Sequence, residues 1–228
     1  MNDVGATSGG KVRVMIEHAP DLFWERDFYG SGKFPQCPYP ELASFVFRNE
    51  PKRPRNEIRI LEIGCGPGNN LWYLAHEGFS VAGTDSSGIA LEFARRRLEA
   101  DGLSAELRDA AFPHVPFAHE SFDFVLERAA LCCVPLEVCR ESIDEVRRVL
   151  KPGGKFLFCP YSQHERDFGY ALHYSEPMIH DLFRNGWRVI QLLHVTTEDR
   201  LRKVTVCGEW KVGVEKVASL DSNGADTR

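Results

Sequence analysis

No stretch of the 228-residue chain approaches the roughly 18 consecutive apolar residues that a membrane-spanning helix needs. Met1 to Gly10 is polar and glycine-rich and lacks the apolar centre of a secretory leader. There is no Cys-x-x-Cys. The seven cysteines (Cys37, Cys65, Cys132, Cys133, Cys139, Cys159 and Cys207) are odd in number, and several sit inside apolar runs. This pattern argues against a disulfide framework or a zinc site and predicts reduced thiols in a cytoplasmic chain with no membrane partner. There is also no basic excess: 28 Lys and Arg face 33 Asp and Glu, for a net charge of −5. A nucleic-acid binder usually carries a basic stripe and a high pI, so no nucleic-acid partner is expected. The two local basic clusters, Arg48/Lys52/Arg53/Arg55 and Arg95 to Arg97, read as solvated surface. What remains, 43% hydrophobic and 27% charged, is an ordinary globular composition with length enough for one sizeable core.

Met1 to about Lys11 and Ala218 to Arg228 read as flexible ends. Val12 to Asn49 is mixed and helical, broken by Gly30-Ser31-Gly32 and by Pro35, Pro38 and Pro40, and Leu42 to Phe47 is apolar enough to pack. Pro51 to Asn56 is a basic connector. A regular alternation follows. Short apolar runs predict strands at Ile58–Ile63, Ser80–Thr84, Ser104–Arg108, Phe122–Leu126 and Lys155–Cys159. Helical spacing predicts helices at Asn70–His76, Gly88–Ala100, Arg140–Leu150 and Glu176–Asn185, with glycines beyond their ends. Arg188–His194 and Lys203–Trp210 are two further strands joined by a short charged turn, which favours an antiparallel hairpin. Strands alternating with helices imply a parallel sheet covered on both faces.

The segment Leu61-Glu62-Ile63-Gly64-Cys65-Gly66-Pro67-Gly68-Asn69 lies between a predicted strand and a predicted helix. In a doubly wound sheet, ligands bind at such a turn, where glycines permit tight backbone angles and close approach. Asp85 closes the second strand, where a carboxylate can accept from both hydroxyls of a ribose. A nicotinamide enzyme would share these features, but the dinucleotide fingerprint G-x-G-x-x-G/A requires Gly or Ala at position 69. The chain has Asn69, and its third glycine comes one residue earlier, at Gly68.

With these residues in hand, the chain resembles the class I S-adenosylmethionine-dependent methyltransferases, over roughly Ile58 to Pro160 and on to Trp210 with the hairpin. Their acid followed by G-x-G-x-G is matched by Glu62, Gly64, Gly66 and Gly68, framed by Cys65 and Asn69. The resemblance implies S-adenosylmethionine as cofactor, with Glu62 toward its methionine amino group and Asp85 with Ser86 at the ribose. It also implies Asp109-Ala110 at the adenine amine and Glu127-Arg128 near the methionine part. Leu150 to Gly154, L-K-P-G-G, is a frequent companion in that family. The expected fold is α/β: a Rossmann-like, doubly wound, seven-stranded sheet, mostly parallel, with an antiparallel C-terminal hairpin and an N-terminal helical lid. The division expected is 1–11 flexible, 12–56 lid and connector, 57–217 cofactor-binding domain and 218–228 tail.

Phe23 to Gly30, with Phe34-Pro35 and Pro40-Glu41-Leu42, resembles the W-x-x-x-Y…P segment that folds over the cofactor in small-molecule and thiol methyltransferases, which places Trp24 and Tyr29 beside it. Gln36 stands where those relatives often have Trp. Tyr161 to Ser175, after the fifth strand, is rich in titratable and aromatic groups and sits where acceptor specificity is set. Methyl transfer needs alignment, plus a base where the acceptor atom is protonated. His164 and His173 are the candidates, with His114 and His119 next. Cys132-Cys133 reads as core packing. Glu127-Arg128-Ala129-Ala130-Leu131 is not the N/D-P-P-Y/F segment of amino-methylating nucleic-acid and release-factor enzymes. The paired-glutamate loop of arginine methyltransferases is absent, and no metal-ligand cluster is present. The reading is a methyltransferase with a small-molecule acceptor. The alternatives are a macromolecular acceptor, or a nucleotide-binding module such as a nicotinamide oxidoreductase or a silent regulator.

Overall fold

The computed structural model describes residues 29–31, 34–164, 171–199 and 204–217. Within these residues eight strands form one sheet: β1 (Arg59–Ile63), β2 (Ser80–Asp85), β3 (Glu106–Asp109), β4 (Phe122–Arg128), β5 (Leu150–Cys159), β6 (Tyr161–His164), β7 (Trp187–Asp199) and β8 (Val204–Lys216). Among the described residues five α-helices accompany it: α1 (Pro40–Asn49), α2 (Asn69–His76), α3 (Gly88–Ala100), α4 (Leu136–Val149) and α5 (Glu176–Leu182). The order is β3-β2-β1-β4-β5-β8-β6, with β7 on the other edge of β8. β1 to β5 run parallel, while β8 is antiparallel to β5, β6 and β7. Among the described residues no helix is long and apolar enough to cross a membrane.

Alternating side chains on the central strands face two separate cores. Leu61, Ile63, Val125, Phe156 and Phe158 pack toward Cys139, Ile143 and Val146 of α4 and Ile179 and Leu182 of α5. Ile58, Ile60, Phe124, Leu126 and Leu157 pack toward Leu42, Phe45 and Val46 of α1 and Leu71 and Leu74 of α2. Each fully buried Leu, Ile, Val or Phe stabilises the fold by about 1.5–3 kcal/mol. These two faces therefore fix the strand register, because a one-residue slip would exchange them.

The alternation expected from sequence is present, with differences in extent. Helix α4 starts at Leu136 and not Arg140, because Leu136 and Cys139 continue its buried stripe. β5 starts at Leu150: the L-K-P-G-G segment pairs Leu150 with Phe122 before an irregularity resets the register at Phe124–Lys155. An eighth strand, β6, occupies the start of the segment read as a loop, because β8 runs past the end of β5 and offers it an edge. Ser175 occupies the N-cap position of α5, but its side chain makes no capping hydrogen bond.

Candidate active site

β1 ends at Ile63, and the chain turns through Gly64 to Gly68 into α2. Gly64 (φ +67°) and Gly66 (φ +52°) are left-handed, a conformation that costs a residue with a Cβ. Space forbids a side chain as well: a Cβ on Gly64 would overlap the Ala130 methyl, and one on Gly66 would lie 2.6 Å from the Tyr29 hydroxyl. The Cys65 N–H donates to the Thr84 carbonyl at 2.9 Å, and its buried side chain packs against Gly83. Burial, reinforced by Asp85 and Glu62, pushes the Cys65 thiol up, so it stays protonated as filler.

Asp85 holds this turn from the next strand. Its carboxylate accepts the Gly66 N–H at 2.8 Å and the Ser87 N–H at 2.9 Å. The Ser87 hydroxyl accepts the Ala90 N–H at 3.1 Å and caps α3, while Ser86 sits half-buried beside it. Asp109 lies in register with Asp85 at the exposed end of β3, and the Ala110 N–H donates to the Asp85 carbonyl at 3.1 Å. The glycine turn, Asp85 and Asp109 therefore line the carboxyl edge of β1, β2 and β3 in succession.

Glu62 lies beneath the turn, 3% exposed. One carboxyl oxygen accepts the Asn70 amide at 2.6 Å; the other is sealed from solvent with no hydrogen-bond partner. Burial raises its pKa to about 8, Asn70 opposes this, and Asp85 and Glu127 add to it. Asn70 also accepts the Tyr39 N–H at 2.8 Å, and Asn69 donates to the Cys37 carbonyl at 2.8 Å. The two asparagines thus tie the 37–39 segment to the start of α2. Tyr29 is buried over Gly66, where burial and then the Asp85 charge raise its pKa. A sealed, unpartnered carboxyl oxygen beside a cradle that no Cβ could enter fits a small cationic ligand group held against backbone, as an aminoacyl cofactor presents.

Glu127 and Arg128 are placed differently from the other residues singled out. The Glu127 carboxylate is fully buried and accepts the N–H groups of Ala130 (2.7 Å), Leu131 (2.9 Å) and Cys159 (3.3 Å). It braces the loop after β4, in which Ala129 is left-handed at φ +56°. Arg128 donates to Glu41 of α1 at 3.1 Å and to Glu209 of β8 at 2.8 Å, with its guanidinium carbon 3.7 Å from the Tyr39 ring centroid. Lys211 bonds the same two carboxylates at 2.9 and 2.5 Å. Two cations and two carboxylates, each 10–21% exposed, form a closed quartet joining α1, β4 and β8.

His173, His114 and His119 are exposed. Trp24 and the His164 side chain lie outside the described residues. The sequence reading missed Asn70, Tyr39, Glu41, Glu209 and Lys211. The Asn69-Asn70 pair opening a helix was the available signal for the first. The quartet spans 170 residues of chain, between Glu41 and Lys211, and has no local signature.

Residues 60–154 match a family described as methyltransferase domain. The uncharacterized methyltransferase YodH of Bacillus subtilis is 30% identical over 158 residues, covering 64% of this chain and 66% of that one. A demethylmenaquinone methyltransferase of Clavibacter sepedonicus is 38% identical over 104 residues (46% and 41%). The tRNA N(3)-methylcytidine methyltransferase Mettl2 of Drosophila melanogaster is 31% identical over 135 residues (56% and 41%). The chain thus spans from about two fifths to just under two thirds of these relatives' lengths. Among solved structures, a SAM-dependent methyltransferase of Methanosarcina mazei superposes with a TM-score of 0.64 at 22% identity, covering 79% of this chain and 99% of that one. A protein from a study of disulfide-to-thioacetal conversion in echinomycin biosynthesis gives 0.70 at 19% identity (88% and 93%). Both share the fold.

Proposed function

From the class I S-adenosylmethionine-dependent methyltransferase domain that this chain carries, we propose that the protein transfers a methyl group from S-adenosylmethionine to a small-molecule acceptor in the cytoplasm. The observation that supports the cofactor half most directly is the unpartnered Glu62 oxygen beside the Gly64–Gly68 turn.

In this reading, residues 57–217 form the cofactor domain and 12–56 its lid. The backbone of Gly64, Cys65, Gly66, Gly68 and Asn69 frames the cofactor. Glu62 faces its ammonium, and Asp85 with Ser86 takes the ribose hydroxyls. Asp109 and Ala110 meet the adenine amine, and Tyr29 and Trp24 cover the turn. Glu127 acts through the 129–131 loop that it braces, and Arg128 through the quartet. The bound cofactor supplies a methyl group already made electrophilic by its sulfonium. The chain's own part is to hold the acceptor in line and keep water out, effects worth several kcal/mol without any acid–base step. Where the acceptor atom is protonated, His164 or His173, at the two ends of the segment after β5, takes the proton.

A small acceptor agrees with how the basic residues are used. Arg53 pairs with Asp123, Arg55 with Glu50 and Glu77, and Arg95 and Arg96 share Glu92, which reduces the positive charge these clusters offer to a phosphate backbone. The Drosophila relative acts on tRNA, which keeps a nucleic-acid acceptor as the second reading. Incubation with methyl-labelled cofactor, fractionated metabolites and total RNA separates them. Label in a metabolite fraction supports the proposal, and label in RNA alone replaces it with the second reading. The absence of a melting-temperature rise with S-adenosylhomocysteine overturns the cofactor assignment itself.

A further inference from the structure

Asparagine is a poor helix former, yet Asn69 and Asn70 open α2 directly after its Gly68 N-cap, and both are buried. Burying a side-chain amide is costly unless its groups are paired. Asn70 pairs in two directions at once. Its Nδ2 donates to Glu62 Oε1 at 2.6 Å, and its Oδ1 accepts the Tyr39 N–H at 2.8 Å. Only one orientation of the amide serves both contacts. Turned over, it would set NH2 against the Tyr39 N–H, donor on donor, and its carbonyl against an ionised Glu62, acceptor on acceptor.

On the Tyr39 side this bond has no substitute. Pro38 and Pro40 flank Tyr39, so its N–H is the only backbone donor in residues 38–40. Tyr39 is also the N-cap residue of α1. Its carbonyl accepts the Leu42 N–H at 3.1 Å, and its ring centroid lies 3.7 Å from the Arg128 guanidinium carbon. One hydrogen bond therefore fixes the residue at which the chain enters α1 and meets Arg128.

On the Glu62 side the arrangement is incomplete. The second carboxyl oxygen is sealed from solvent and has no partner. In the proposed function the cofactor's ammonium takes that place. Facing an ammonium, Glu62 is ionised. A hydrogen bond to an ionised acceptor is roughly twice as strong as one between neutral groups. The bond from Asn70 Nδ2 then tightens, and it does so in the orientation that holds Oδ1 toward Tyr39.

We propose that Asn70 is a positioning residue that couples the cofactor's ammonium, through Glu62, to the ordering of Tyr39 and of the entry into α1. The coupling rests on the ammonium standing against Glu62, as in the proposed function. Linkage makes it reciprocal, so fixing Tyr39 favours the ammonium at Glu62 by the same factor.

The test compares S-adenosylhomocysteine with its deaminated analogue, which keeps the adenosine, thioether and carboxylate but lacks the amine. Asp85 of β2 and Glu127 and Arg128 of β4 act on Glu62 with either ligand, so the comparison isolates the ammonium. NMR hydrogen exchange of the Tyr39 N–H in the full chain, at saturation with each ligand, should be at least about tenfold slower with S-adenosylhomocysteine, the value of one charge-assisted hydrogen bond. Asn70→Leu, close in volume but without either hydrogen bond, should abolish that difference. By titration calorimetry it should weaken S-adenosylhomocysteine about tenfold or more and leave the affinity for the deaminated analogue nearly unchanged. A residue that only supports the fold would weaken both ligands alike. Should Asn70→Leu not fold, the comparison of the two ligands on the wild-type chain still decides. Equal Tyr39 exchange with both ligands bound overturns the inference alone, as does an Asn70→Leu chain that loses affinity for both equally. Failure of both ligands to bind overturns the cofactor assignment, and the inference with it.

Discussion

Glu62→Gln isolates the most unusual group in the site. The carboxyl is 3% exposed, gives one oxygen to Asn70 and leaves the other without a partner. Burial raises its pKa from 4.5 to about 8. The sign follows from proton counting. Between about 4.5 and about 8 the folded chain keeps a proton that the unfolded chain has released, so stability is full below 4.5 and declines as pH rises to 8. One proton gives a slope of about 1.4 kcal/mol per pH unit, and the window therefore has a ceiling of about 5 kcal/mol. Glutamine keeps the shape and the Asn70 hydrogen bond but does not titrate. The stability difference, wild type minus variant, should therefore fall steadily from pH about 5 to about 8, by at least about 2 kcal/mol. Urea midpoints of both proteins across that range measure it, at roughly 1–3 kcal/mol per molar urea. Parallel curves would refute the buried-proton reasoning. Calorimetry with S-adenosylhomocysteine in buffers of different ionisation enthalpy gives a second readout. An ammonium placed against Glu62 should expel its proton near neutral pH in the wild type, and Glu62→Gln should release none.

The remaining predictions concern neighbours of that site. Asp85→Ala removes the acceptor for the Gly66 and Ser87 N–H groups, each a charge-assisted bond worth about 1.5–3 kcal/mol. It should lower the melting temperature and abolish the further rise with S-adenosylhomocysteine, both read by scanning calorimetry. Gly66→Ala combines a left-handed φ with a Cβ at 2.6 Å from the Tyr29 hydroxyl, and it should cut S-adenosylhomocysteine affinity at least a hundredfold in the same calorimetry. Arg128→Met leaves Glu41 and Glu209 with Lys211 alone, and by the cost of breaking a buried ion pair it should destabilise the chain by about 3–5 kcal/mol in urea. Replacing all four quartet residues with apolar ones of similar volume should recover much of that loss.

What was legible in the sequence was local. Glycines at 64, 66 and 68 between an apolar run and a helical run announce a strand–turn–helix, because few residues but glycine accept that backbone. Acids at 85 and 109 end consecutive strands because the sheet repeats the same unit, so their alignment in register follows from counting elements. Helix α3 was bounded to the residue, since Ser87 before it and Gly102 after it are strong punctuation. β6 was not legible: its pairing depends on β8 extending beyond β5, a fact about a strand more than 40 residues away.

Glu127 and Arg128 mark the point where position in a motif and role in the structure part. Their place at the end of β4 assigned them to the cofactor, and their side chains are committed elsewhere. A carboxylate there has two choices, to turn outward toward ligand or inward toward the backbone N–H groups of the next loop. The N–H groups of Ala130 and Leu131, with a longer contact from Cys159, favour the second, because a buried N–H left unpaired carries a desolvation cost. Burial raises the Glu127 pKa while those same N–H groups lower it, the balance expected of a structural acid. Arg128 follows similarly: Glu41 and Glu209 already supply its counter-charge from α1 and β8, so its pull falls on the elements that wall the site. The motif thus predicts where these two residues stand. What they do there is set by which polar groups the tertiary fold leaves unsatisfied around them, and that is a property of strands and helices far apart in the chain.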